Sequence, residues 1–206
     1  MALPAAPWGQ YLRELTGLEA IKAAQLELVH AQVLFRHGAR APFQDSPEDP
    51  KIWRAALRSD VGSLPSPILQ HLRTGEKVEA AMLRNSNFSP TENLLGGGLE
   101  KGTLTDAGIR QARSLGRRLG ERYRAAGIVA GHHEKEVLLR SSFTKRTVET
   151  MQGVVAGMFP DNATAPMRVL VGSNGEGSAH TDYLHHHPDC CARFKKLLGR
   201  CALPKL

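Results

Sequence analysis

Between Thr105 and Gly172 the chain switches repeatedly between two hydrophobic periods, and this alternation restricts the fold more than any other feature. In TDAGIRQARSLGRRLGERYRAAG, the residues Ile109, Ala112, Leu115, Leu119 and Tyr123 return on one helical face. Thr105 is the expected N-cap and Gly127 the expected C-terminal stop. Gly116 and Gly120 lower helix propensity but permit close packing, which we expect to be against a sheet. KEVLLRSS, residues 135–142, reads as a buried strand. FTKRTVETMQGVVAGMF follows as a helix with Val148, Met151, Val155 and Phe159 inward, and MRVLVG, residues 167–172, as another strand. Upstream, Leu28, Val29, Val33, Leu34 and Phe35 predict a strand over 28–35, broken by Gly38 and Pro42. Strands alternating with helices imply an α/β fold, a mainly parallel sheet flanked by helices.

The 206 residues suit one domain. We expect an N-terminal extension over 1–27, amphipathic through Tyr11, Leu12, Leu15, Leu18 and Ile21, and an α/β domain over 28–206. Residues 43–102 read as a long loop insertion, irregular and broken by Pro47, Pro50, Pro65, Pro67 and Pro90. A short helix is expected near 74–83. Long excursions beside strand ends often shape binding sites.

Composition is that of an ordinary globular protein, 41% hydrophobic and 23% charged, without an apolar run long enough to span a bilayer. The net charge of +7 can attract anions but does not choose among nucleic acid, phosphorylated metabolites and acidic lipid surfaces. Nucleic acid is disfavoured, because the arginines Arg110, Arg113, Arg117, Arg118, Arg122 and Arg124 lack interleaved aromatics or a docking motif. They read as a solvated helix face, with peripheral attraction to an anionic membrane surface as the alternative. Cys190, Cys191 and Cys201 are an odd, clustered set rather than a disulfide framework. The sequons at Asn87 and Asn162 would matter only in a secreted chain. The amphipathic start suggests a mitochondrial address, although Glu14 and Glu19 argue against a presequence; cytoplasmic and secretory or lysosomal locations are the alternatives.

Chemistry concentrates where two strand candidates end. LFRHGARAP carries Arg36, His37 and Arg40, and VLLRSS carries Arg140. In parallel sheets ligands gather beyond the carboxyl ends of strands. A phosphoryl group in transfer spreads negative charge over three oxygens, which planar guanidinium groups match in bidentate fashion. A neutral histidine is a competent nucleophile near physiological pH. Gly38 would let backbone come close to a substrate. One histidine framed by three arginines therefore reads as an anionic-phosphate pocket with a covalent nucleophile.

Three ordered segments, LFRHGARAP, GTLTDAGIRQARSLGRRLGERY and VLLRSSFTKRTVET, resemble the histidine acid phosphatases, the larger branch of the histidine phosphatase superfamily. That resemblance implies His37 as the nucleophile that becomes phosphohistidine, and Arg36, Arg40 and Arg140 as holders of the phosphate. It implies hydrolysis of a phosphomonoester, with lysophosphatidic acid, a lysophospholipid, as the expected substrate, and neither a metal nor an organic cofactor. It further implies a late His-Asp pair supplying the general acid, in a chain about twice this long. On that comparison the chain stops before the pair, which leaves the acid unknown. His180 and Asp182 in SAHTDY are the nearest imitation, but no apolar strand feeds into them and a threonine separates them. A truncated, non-catalytic phosphate-binding or interaction protein is the alternative reading. A compact mutase or phosphatase of the smaller branch fits the length better, but lacks support from the Arg-Ala-Pro continuation after Gly38.

Two other signals carry less. GGGLEKGT has Gly97 and Gly102 at nucleotide-loop spacing, but Thr103 stands where lysine is required. HHHPDCC, residues 185–191, offers imidazole and thiol ligands at a spacing that matches no standard zinc pattern.

Overall fold

The computed structural model describes residues 27–44, 64–85, 92–96, 98–131 and 133–172, together with positions 193 and 196. Four strands, β1 (Pro67–His71), β2 (Lys77–Val78), β3 (Arg140–Ser141) and β4 (Met167–Val171), form one sheet in the order β2-β1-β4-β3. β4 runs parallel to both neighbours, with Val169 opposite Leu69 and Leu170 opposite Arg140, and only β2 is antiparallel. Helices α1 (Asp106–Ala125), α2 (His133–Glu136) and α3 (Lys145–Met158) complete the described elements, with 3-10 turns at Ala80–Met82 and Pro160–Asn162. The α/β class with a mainly parallel sheet is therefore present, and β3–α3–β4 is its βαβ unit.

The core forms where β4 meets α3. Met167, Val169 and Val171 point to one face and are fully buried, as the period of two requires. Val148, Met151, Val155 and Phe159 from α3 and the following residue pack with them and with Leu69. The opposite face of α3 meets α1. Here the sequence expectation needs correcting: Gly116 and Gly120 give close approach to a helix, not to the sheet. A Cβ at Gly116 would overlap the carbonyl oxygen of Val154, one at Gly120 would meet the oxygen of Met158 at 2.7 Å, and one at Gly153 would meet the Ala112 methyl at 2.8 Å. Leu119 and Tyr123 still reach the main core. Thr105 caps α1 as expected, its hydroxyl accepting from the Gly108 N–H, and Gly127 follows the helix end with a φ of 78°.

Four further expectations change. Residues 28–35 form no strand: they have no ladder partner among the described residues, and Val29 and Leu34 are 83% and 85% exposed. Periodicity supplied the side chains for a strand but could not supply the neighbour. The expected strand over 135–142 shrinks to Arg140–Ser141, because α2 takes its start and only its end reaches β4. The expected helix near 74–83 is a turn followed by β2 and a 3-10 turn. Gly75 adopts a φ of 72°, and the Thr74 hydroxyl bonds to Glu76 and His71, which together close the β1–β2 hairpin. Conversely, the insertion over 43–102 contains a real strand, β1, which short length and the leading Pro67 concealed.

Candidate active site

The described part of the segment before α1 is held by α1 and α3 rather than by a strand ladder. The Gly38 N–H donates to the Thr150 hydroxyl at 3.2 Å, the Ala39 N–H to Gln111 Oε1 at 2.9 Å, and the Ala39 carbonyl accepts from both the Thr105 N–H and its hydroxyl. These bonds run the chain across the start of α1, with the Ala41 N–H bonded to the Thr103 carbonyl. Gly38 proves necessary for a reason other than substrate approach: a Cβ there would meet the Gly108 Cα at 2.7 Å. Two glycines let the His37 segment and α1 touch backbone to backbone.

This arrangement gathers Arg36, His37, Arg40 and Arg140 around one cavity of about 460 Å³. It opens beside the end of β3 and the first turns of α3, so Ser141, Ser142, Thr144, Thr147 and Thr150 also line it. Val33, Leu34, Phe35 and Met151 make an apolar wall. No Asp or Glu lines the cavity among the described residues. His180 and Asp182 lie outside the described residues, as do Cys190, Cys191, Cys201 and the HHHPDCC segment.

The local geometry assigns the imidazole a tautomer. His37 Nδ1 lies 2.8 Å from the Gly38 carbonyl oxygen, which can only accept, so Nδ1 carries the proton and Nε2 keeps its lone pair. Burial pushes the His37 pKa below its ordinary value of 6.5, against the opposing Gly38 hydrogen bond, and the positive charges of Arg146, Arg36 and Arg40 push it lower still. These effects disfavour the imidazolium.

The arginines carry uncompensated donors. Arg140 Nε and Nη2 are buried without hydrogen-bond partners among the described residues, an arrangement that suits an incoming anion. Arg40 donates from Nη1 to the Ala41 carbonyl at 2.8 Å and lies over the Phe43 ring at 4.1 Å, which fixes its direction. Burial, reinforced by Arg36, lowers the Arg40 pKa.

Sequence reasoning overlooked one cationic lining residue, Arg146, and the residues that orient it. Its Nη1 donates to the Asn85 carbonyl at 2.6 Å, and its backbone N–H donates to Asn85 Oδ1 at 2.8 Å. The signal was available: Arg140 and Arg146 bracket a strand-to-helix junction, and the first turn of such a helix faces the strand end. Asn85 and Phe43 had no comparable signal, because they come from the irregular insertion.

A mainly parallel sheet with this βαβ unit, and a histidine and several arginines around one cavity beside β3, make this an α/β protein with a cavity suited to an anion. The chain belongs to the histidine phosphatase superfamily (branch 2), whose family model matches residues 27–196. Among curated relatives, it is 30% identical over 146 residues to lysophosphatidic acid phosphatase type 6 of Bos taurus, covering 69% of this chain and 33% of that protein. It is 29% identical over 153 residues to putative acid phosphatase 1 of Caenorhabditis elegans, covering 74% of this chain and 26% of that protein. It is 33% identical over 136 residues to testicular acid phosphatase of Mus musculus, covering 66% and 23% respectively. The match thus spans a quarter to a third of these relatives' own length.

Proposed function

We propose that the chain carries the phosphate-binding and nucleophilic residues of a phosphomonoesterase. The supporting observation is His37, held with Nδ1 on the Gly38 carbonyl and Nε2 free, in one cavity with arginine donors that have no partner among the described residues. His37 Nε2 attacks phosphorus, the ester P–O bond breaks, and the alcohol leaves with a proton from an acid outside the described residues. Water then attacks the phosphohistidine, the P–N bond breaks, and phosphate departs with His37 neutral again. Arg36, Arg40 and Arg140 hold the oxygens throughout, where preorganised charge stabilises the transition state.

The apolar wall favours a substrate with a hydrocarbon portion, which fits a lysophospholipid such as lysophosphatidic acid. The relative named for that substrate points the same way. The absence of a carboxyl group lining the cavity, among the described residues, favours a second reading: phosphate binding without turnover.

One experiment separates these readings. The chain is incubated with a radiolabelled phosphomonoester across pH 4–8 and quenched in alkali, beside His37→Ala and Arg140→Gln. Phosphate release and alkali-stable label that vanish in His37→Ala support the enzyme. Phosphate binding without either supports the second reading, and no phosphate binding at all overturns both.

A further inference from the structure

Phe43 follows the His37 segment and carries two cations. The guanidinium carbon of Arg40 lies over its ring at 4.1 Å from the centroid, and that of Arg146 at 5.5 Å. Both arginines line the cavity beside His37 and Arg36, and no Asp or Glu among the described residues lines it with them. The crowding registers in the chemistry: burial, then the charges of Arg40 and Arg36, lower the Arg146 pKa. Like charges so placed drive long side chains apart towards water. An aromatic face opposes this, because its quadrupole attracts both cations without accepting their N–H bonds as a carboxylate would. The ring is itself seated by backbone. The Ala41 N–H donates to the Thr103 carbonyl at 2.8 Å and the Gly102 N–H to the Pro42 carbonyl at 3.2 Å. Gly102, with a φ of 73°, leaves the space that the ring occupies, since a Cβ there would meet Phe43 Cε1 at 2.7 Å and Cζ at 3.2 Å.

We propose that Phe43 is a positioning residue of this cavity, its aromatic face holding Arg40 and Arg146 together there before an anion arrives. The proposal rests on the phosphomonoester reading of the cavity. Phe43 does not line the cavity, so it acts through the two arginines. Nη1 of Arg40 donates to the Ala41 carbonyl, and Nη1 of Arg146 to the Asn85 carbonyl at 2.6 Å. A guanidinium held by one such bond can still pivot about it, and the shared ring restricts that pivot. Side chains ordered in advance lose less freedom when a ligand binds, so phosphate binds more tightly. A purely structural role, an apolar plug against Gly102, would require only the volume of the side chain and not its π face.

Calorimetric binding of inorganic phosphate to the 206-residue chain tests this, with Phe43→Leu, Phe43→Tyr and a series bearing mono-, di- and trifluorinated phenylalanine at position 43. Leucine keeps the apolar bulk but lacks the π face, so phosphate binding should weaken ~3–10-fold. Phe43→Tyr should bind as the parent does. Fluorine withdraws charge from the ring face with little change in size, so affinity should fall stepwise with each fluorine added. If the fluorinated series binds phosphate as tightly as the parent, the ring only packs and the proposal is overturned, whatever Phe43→Leu does, while the phosphate reading stands. If Phe43→Leu does not fold, the fluorinated series decides alone. If the parent chain binds no phosphate, the proposal and the reading beneath it both fall.

Discussion

The hydroxyl of Thr150 accepts the N–H of Gly38 at 3.2 Å and donates to the carbonyl of Arg146 at 2.7 Å. One buried side chain on α3 thus joins the His37 segment to the turn that carries Arg146. Without it, nothing in the sheet would hold residues 36–38 in place, because they have no ladder partner among the described residues.

Thr150→Val keeps the shape but removes the acceptor, which leaves the Gly38 N–H unpaired. Stability should fall by ~1–3 kcal/mol. Thr150→Ser should recover most of it. Urea unfolding of the three proteins checks the size, and phosphate affinity should fall in Thr150→Val because His37 and its neighbours lose their tether.

His37 should titrate below 6.5, since burial and the charges of Arg146, Arg36 and Arg40 all disfavour the imidazolium. The sign for stability follows: the unfolded chain binds this proton more readily than the folded one. Its contribution is therefore intact above 6.5 and is lost as pH falls from 6.5 through the lower folded value. NMR titration of the ring protons gives the midpoint, and His37→Gln should flatten that part of the pH–stability curve.

Gly116→Ala should destabilise the protein, because the added methyl group would strike the Val154 carbonyl and force α1 from α3. Overpacking of this kind costs ~1–3 kcal/mol. Thermal unfolding measures the loss, and Ala107→Ser, on the exposed side of the same helix, should change little by comparison.

Leu34 lies on the apolar wall and is largely exposed. Leu34→Asp should raise KM for a long-chain lysophosphatidic acid by ~10-fold or more, while leaving KM for glycerol 3-phosphate within about twofold. Parallel loss on both substrates would place the defect in the phosphate site and remove the support for a lipid.

How much of this was legible in the sequence varied with how local the cause was. The α1 boundaries were, because Thr105 and Gly127 act within a turn of themselves. The inward face of α3 was, because burial at Val148, Met151 and Val155 follows the helical repeat. The grouping of Arg36, His37, Arg40 and Arg140 was legible from residue chemistry, and all four do line one cavity, although only Arg140 belongs to a strand. The strand over 28–35 was misread because apolar, β-branched residues state a preference, whereas a strand exists only with a partner. β1 was overlooked because five residues opening on Pro67 carry little local signal, and its pairing with β4 lies about a hundred residues away.

Residue chemistry and periodicity by themselves determined the α/β class, the main helices, and the presence of a histidine among guanidinium groups, since each depends on neighbours a few positions apart. Tertiary structure decided the rest. It set α3 between the sheet and α1, used Gly38 and Gly116 for backbone contact, fixed the His37 tautomer through the Gly38 carbonyl, and brought Arg146 to the cavity with Asn85 and Phe43 beside it. The physical reason is that packing and hydrogen-bond direction depend on groups tens of residues apart, whose meeting no local pattern encodes.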